Sequence, residues 1–206
     1  RVLSGADLSE LYVRTASAPG GAPGRFVDPL GDVDGDGVGD LFVVHGAAAL
    51  NTSDVVSGAT GALIRSHPDG TSGTPEQSAD VGDVDGDDVP DYLVGQPDSG
   101  LVYQVGYAGS ARLYSGATGA LIRTHADAAA PARFGSKVAG LGDVDGDGVP
   151  DYAVGAPLDG AFGYRHGSVR AYSGGTGASL WSTAGTIVAP ENWFGAGIER
   201  TSDYDG

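Results

Sequence analysis

The chain has 206 residues and a formal net charge of −16, with 27 acidic side chains against 11 Lys and Arg. That balance argues against a nucleic-acid surface, which needs clustered bases against phosphate. With no cysteine there is neither a disulfide framework nor a thiolate metal site, and no apolar run approaches the ~20 residues of a membrane helix.

Its 37 Gly and 11 Pro, set among 40% hydrophobic residues and lacking a collagen period, point to many tight turns between short buried segments. The first of these segments, Arg1 to Thr15, reads as two short strands around Ser4-Gly-Ala-Asp7. An acidic loop follows, Gly31-Asp-Val-Asp-Gly-Asp-Gly-Val-Gly-Asp40, and runs straight into Leu41-Phe-Val-Val44, a buried strand that stops at Gly46. Next comes Ser57-Gly-Ala-Thr-Gly-Ala-Leu-Ile-Arg-Ser-His67, a glycine turn between two apolar runs and therefore a hairpin.

The order then repeats. The acidic loop returns as Gly82-Asp-Val-Asp-Gly-Asp-Asp-Val-Pro-Asp91 and as Gly142-Asp-Val-Asp-Gly-Asp-Gly-Val-Pro-Asp151, its first aspartates 51 and then 60 residues apart. The hairpin returns as Ser115-Gly-Ala-Thr-Gly-Ala-Leu-Ile-Arg-Thr-His125 and, more weakly, as Ser173-Gly-Gly-Thr-Gly177. Asp203-Tyr-Asp-Gly206 opens a fourth acidic loop. No segment carries a 3.6-residue apolar period, so helices are expected to be nearly absent.

Four short antiparallel strands in each period of about 60 residues are the content of a propeller blade. The predicted architecture is all-β: a half blade over 1–15, blades over 16–72, 73–130 and 131–190 with one acidic loop each, and the start of another over 191–206. About three and a half blades are too few to close a ring. The parent chain is therefore expected to continue in cis, or a second copy to pair in trans through the open blade edges, as a homo-oligomer would.

Three carboxylates within five residues repel one another unless a cation lies among them. Small residues between the acids let the loop curl so that alternate side chains share a centre. The predicted ligand sets are Asp32, Asp34, Asp36, the Val38 carbonyl and Asp40; Asp83, Asp85, Asp87, the Val89 carbonyl and Asp91; and Asp143, Asp145, Asp147, the Val149 carbonyl and Asp151. Asp203 and Asp205 supply part of a fourth. All-oxygen, multiply anionic sites without His or Cys suit Ca²⁺ best, with Mg²⁺ second. An EF-hand is excluded, because the twelfth position is Val43, Val94 or Val154 where that motif needs Glu, and strands follow.

Taken together, Phe134-Gly135, the Asp143–Asp151 loop and Gly155-Ala-Pro157 resemble the FG-GAP repeat of integrin α-subunit propellers and their bacterial relatives. The resemblance spans essentially the whole chain. It implies a seven-bladed propeller with Ca²⁺ in the hairpin between the first two strands of some blades, stiffening the face opposite the ligand-binding one. The packing signatures are less regular than the loops: Thr74-Pro75 stands where the second repeat would have Phe-Gly, and Arg25-Phe26-Val27 lies closer to its loop.

The function expected is a calcium-binding, extracellular, secreted or surface-displayed scaffold that contacts protein partners or mediates cell adhesion. The alternative is the non-catalytic propeller portion of a secreted hydrolase or lyase. No catalytic cluster stands out. His67 and His125 recur at equivalent places and read as repeat features, while His45 and His166 stand in turn-like contexts.

Overall fold

Short runs of β-branched and aromatic residues, cut by glycine and aspartate turns, form strands throughout, and the described residues contain no helix. The computed structural model describes residues 2–3, 7, 10–12, 22–46, 52–68, 75–99, 101–102, 106–126, 132–160, 165–185 and 191–198. Strands β1 (Val2–Leu3) and β2 (Glu10–Tyr12) make a two-stranded ribbon. The first sheet is a meander of β3 (Ala22–Pro29), β4 (Leu41–Gly46), β5 (Thr52–Val56) and β6 (Leu63–Pro68).

The second sheet uses β7 (Gln77–Gly82), β8 (Asp91–Gln96), β11 (Ser110–Tyr114) and β12 (Leu121–Ala126), with a small ribbon of β9 (Leu101–Val102) and β10 (Gly106–Tyr107) inserted between its second and third strands. In the third, β13 (Lys137–Gly142), β14 (Asp151–Ala156), β15 (Arg165–Tyr172) and β16 (Ser179–Ala184) repeat the meander, and β17 (Glu191–Phe194) pairs parallel to β15. All ladders within the three meanders are antiparallel. These are propeller blades. Their first strands, β3, β7 and β13, lie side by side.

Burial follows from that stacking. Every residue of β8 and β14 is buried, β8 lying between the seams to the first and third sheets, whereas the outer strand β16 is largely exposed and β12 partly so. One apolar seam, including Phe42, Val44, Val55, Tyr92 and Val94, joins the first sheet to the second. A larger one, with Leu93, Leu113, Phe134, Val138, Tyr152 and Val154, joins the second to the third. Each fully buried Val, Leu or Phe contributes roughly 1.5–3 kcal/mol. A lone four-stranded sheet has no such second layer, so the seams hold the blades together.

Phe134-Gly135 works as a strap across the second seam. Phe134 is buried and bridges to Gly109, and the Gly135 amide donates to the Gly155 carbonyl at 2.9 Å. Gly135 has φ 89°, and a Cβ there would lie 2.2 Å from the Ser110 carbonyl, so the pair admits no larger residue. Phe194-Gly195 repeats the backbone part of this, pairing with Gly167 and bringing Gly195 against the Ser168 carbonyl, but Phe194 is exposed.

His67 and His125 do more than mark the repeat: they sit half-buried between sheets. His67 packs its ring near Tyr92 and Tyr114, and its Nε2 hydrogen-bonds the Tyr92 hydroxyl. The His125 ring stacks on Tyr172 at 4.0 Å, and its Nε2 lies 2.9 Å from the Tyr152 hydroxyl. Burial, then the nearby guanidinium of Arg65 or Arg123, pushes both imidazoles down to about 4. Each is neutral at pH 7 and shares one hydrogen bond with its tyrosine hydroxyl.

A depressed histidine pKa means that the unfolded chain binds more protons between about pH 6.5 and 4, so stability falls as pH falls through that window. Thermal unfolding followed between pH 7 and 4.5 is expected to show this loss. Replacing both side chains, His67→Gln with His125→Gln, should reduce the drop by several degrees. An equal drop in the double variant would remove the histidines as its cause.

Candidate metal centres

Each acidic loop joins the first two strands of a sheet, and its first aspartate organises the curl. Asp32 accepts the amides of Gly35 and Gly37, each at 2.7 Å, and of Asp36 at 3.1 Å. Asp83 does the same for Gly86, Asp87 and Asp88, and Asp143 for Gly146, Asp147 and Gly148. These amides, Gly37 foremost, hold the Asp32 carboxyl below its ordinary pKa. Further along, Asp36, Asp87 and Asp147 accept the amides of Val38, Val89 and Val149 at 2.8–2.9 Å. Asp88 adopts φ 66° where Gly37 and Gly148 have 86° and 89°, as its place in the repeat requires.

The ninth-position aspartates are buried, with exposures of 1% for Asp40 and Asp91 and 0% for Asp151. Each carboxylate is shared between its own loop and the next hairpin turn. Asp91 accepts Val84 and Asp85 amides on Oδ2, and the Gly116 amide on Oδ1 at 2.8 Å. Asp151 repeats this with Val144, Asp145 and Gly174, and Asp40 with Val33 and Gly58. Burial raises the pKa of Asp40 and Asp91, partly opposed by these same amides.

Three groups of acids converge. Carboxylate oxygens of Asp32, Asp34 and Asp36 lie within 4.8 Å of one another, as do those of Asp83, Asp85 and Asp91, and of Asp143, Asp145 and Asp151. Two ligands on opposite sides of a Ca²⁺ ion stand about 4.6–5.2 Å apart, so the spacing in each group is compatible with one shared ion. The donor set is oxygen only, which fits a hard cation. Asp40, Asp87 and Asp147 stand outside these convergent triplets. Asp203 and Asp205 lie outside the described residues.

The loops also touch one another. A Cβ on Gly31 would meet the Pro90 Cβ at 2.5 Å, and one on Gly82 would meet the Pro150 Cγ at 2.9 Å, so successive loops are neighbours at one end of the blades.

The hairpin turns are part of these centres, a role that their sequence alone did not reveal. Added Cβ atoms on Gly58, Gly116 and Gly174 would stand 1.8–1.9 Å from the carbonyl oxygens of Gly39, Pro90 and Pro150. Only glycine lets the turn come close enough for its amide to reach the buried aspartate. The only trace in the sequence is that Ser-Gly recurs in step with the acidic loop.

No family model matches the chain. It is 34% identical over 157 residues to integrin alpha-V of Gallus gallus, covering 70% of this chain and 15% of that protein. To integrin alpha-E of Mus musculus it is 33% identical over 82 residues, covering 36% of this chain and 7% of that one. The chain thus corresponds to a small part of each relative. A rhamnogalacturonan lyase, YesW, has a crystal structure that overlays with a TM-score of 0.47 at 16% identity, covering 80% of this chain and 35% of that one.

Substituting Gly116→Ala should cost about 3 kcal/mol through overpacking against Pro90. Gly146→Ala, at a positive φ but in open space, should cost about 1 kcal/mol. Urea unfolding of the two variants measures the difference, and equal losses would mean that the turn contact carries no weight.

Proposed function

We propose that this integrin-like chain of FG-GAP repeats, a β-propeller module, binds Ca²⁺ in its acidic loops and serves as an extracellular scaffold for protein contacts. The observation that carries the reading is the convergence of three carboxylate oxygens within 4.8 Å in each of three loops. A bound cation supplies the positive charge that so many adjacent anions require. Asp32, Asp34, Asp36, Asp83, Asp85, Asp91, Asp143, Asp145 and Asp151 would hold it, with Asp40, Asp87, Asp147 and the carbonyls of Val38, Val89 and Val149 completing the shells.

Calcium is preferred to magnesium because several carboxylates crowd one centre, and magnesium keeps more of its water. A secreted or surface location is proposed with it, supported by the likeness to integrin alpha subunits, and affinities of about 10⁻⁴–10⁻³ M are expected for sites of that kind. The partners proposed are other proteins or further blades, in cis or in trans.

The module is proposed to be non-catalytic. Support comes from the histidines: His67 and His125 are committed to tyrosines between sheets. His45 and Ser66 both contact Asp54, at 2.8 and 2.6 Å, with the carboxylate between them, so the serine is not activated by the imidazole.

Thermal unfolding in EDTA and in about 10 mM Ca²⁺ tests the metal. At the affinities above, each occupied site adds about 1.4–2.7 kcal/mol, and three sites should raise Tm by many degrees. Titration calorimetry is expected to count three ions or more. An identical Tm in the two buffers would defeat the reading.

A further inference from the structure

We infer that Arg65 and Arg123 are positioning residues for the metal centres, each setting the ion affinity of the acidic loop in the sheet that follows its own. Arg65 lies on β6 of the first sheet, yet its guanidinium donates to the turn of the second: Nη1 to the Gly116 carbonyl at 2.6 Å and the Ser115 carbonyl at 3.3 Å, and Nη2 to the Ala117 carbonyl at 2.9 Å. The amide of that same Gly116 donates to Asp91, one of the converging acids of the second loop. A single residue therefore takes the preceding sheet's cation on its carbonyl and the metal loop's carboxylate on its amide.

The arrangement recurs one sheet later. Arg123 on β12 donates through Nη1 to the Gly174 carbonyl at 2.8 Å and through Nη2 to the Gly175 carbonyl at 3.3 Å, and the Gly174 amide donates to Asp151. Each arginine also lies over the positive-φ glycine of its turn. A Cβ on Gly119 would be 2.7 Å from the Arg65 Cδ, and one on Gly177 would be 2.5 Å from the Arg123 Cδ. At the first turn the corresponding residue is Tyr12, uncharged, which covers Gly61 and donates one bond of 3.3 Å to the Ser57 carbonyl. Among the described residues, the second and third centres thus have a cationic clasp where the first has Tyr12.

The physical consequence is linkage. Asp91 and Asp151 contribute to a cation site only while their carboxylates stay aimed at it, and the turn amide fixes that aim. Donation by a guanidinium to the carbonyl of the same residue holds the turn in place. An ion that needs the ordered turn must in return stabilise the clasp by the same factor.

This inference rests on the calcium reading, and its test separates the two. Hydrogen–deuterium exchange read by mass spectrometry follows peptides spanning 83–91 and 143–151 across a Ca²⁺ titration of the whole chain. Arg65→Met keeps the stem over Gly119 but removes the donors. It should raise the Ca²⁺ needed for half-protection of 83–91 by about fivefold, near the lower end of ordinary coupling, and leave 143–151 unchanged. Arg123→Met should do the reverse, and Arg65→Lys, which retains a cation and gentler packing, should fall between. Calcium protecting neither loop of the unmodified protein would overturn the calcium reading and this inference with it. Protection of both loops that Arg65→Met leaves unmoved, or moves equally, would overturn the coupling alone.

Discussion

Each blade is pinned by one buried carboxylate that two distant stretches of chain share. Asp91 holds the start of its own loop with one oxygen and the turn at Gly116 with the other, and Asp40 and Asp151 repeat this. Burying an anion is costly unless its lone pairs are occupied, and here backbone amides occupy them. Because those amides come from opposite ends of a meander, the carboxylate closes the sheet at the acidic end. The glycines of the turns, the loop curvature and the order of the strands all depend on that closure.

The same carboxylate links charge to packing. In the second and third loops it also belongs to the group of converging oxygens, so the acid that pins the fold lines the proposed ion site as well. The acids at positions one, three and five are exposed or, for Asp32 and Asp83, half-buried, and in the first loop amides hold all three. Their mutual repulsion remains to be neutralised. With the proposed ion bound, stability and ion binding would rest on the same few atoms, as a scaffold role requires.

The blades are similar without being identical, and the differences concentrate at contacts between sheets. Pro90 and Pro150 wedge against the preceding loop, where the first blade has Gly39. Between β3 and β7, Asp28 accepts the Ser78 amide at 2.7 Å; between β7 and β13, Gln77 Oε1 accepts the Val138 amide at 3.1 Å. The edge at β6 and β12 offers a histidine to the next sheet's tyrosine, but β16 carries Thr183 at that place and, two residues earlier, a half-exposed Trp181 where Arg65 and Arg123 stand. Interfaces vary because each must fit one neighbour, while the loops repeat one pattern of aspartate-to-amide hydrogen bonds.

Sequence alone determined the all-β class, the repeat length, the acidic loops and the strand that follows each of them, because all of these are local: alternating acids, apolar runs and turn glycines act within about ten residues. It could not decide that Gly58, Gly116 and Gly174 press against the loops, that the ninth aspartate is buried while the fifth is exposed, or that His67 and Arg65 serve the next sheet. Those contacts join residues some 18 to 52 positions apart, and nothing in the spacing of one motif records which other motif it will meet. Only the stacking of the sheets, driven by the apolar seams between them, brings the turn, the carboxylate and the arginine to one place.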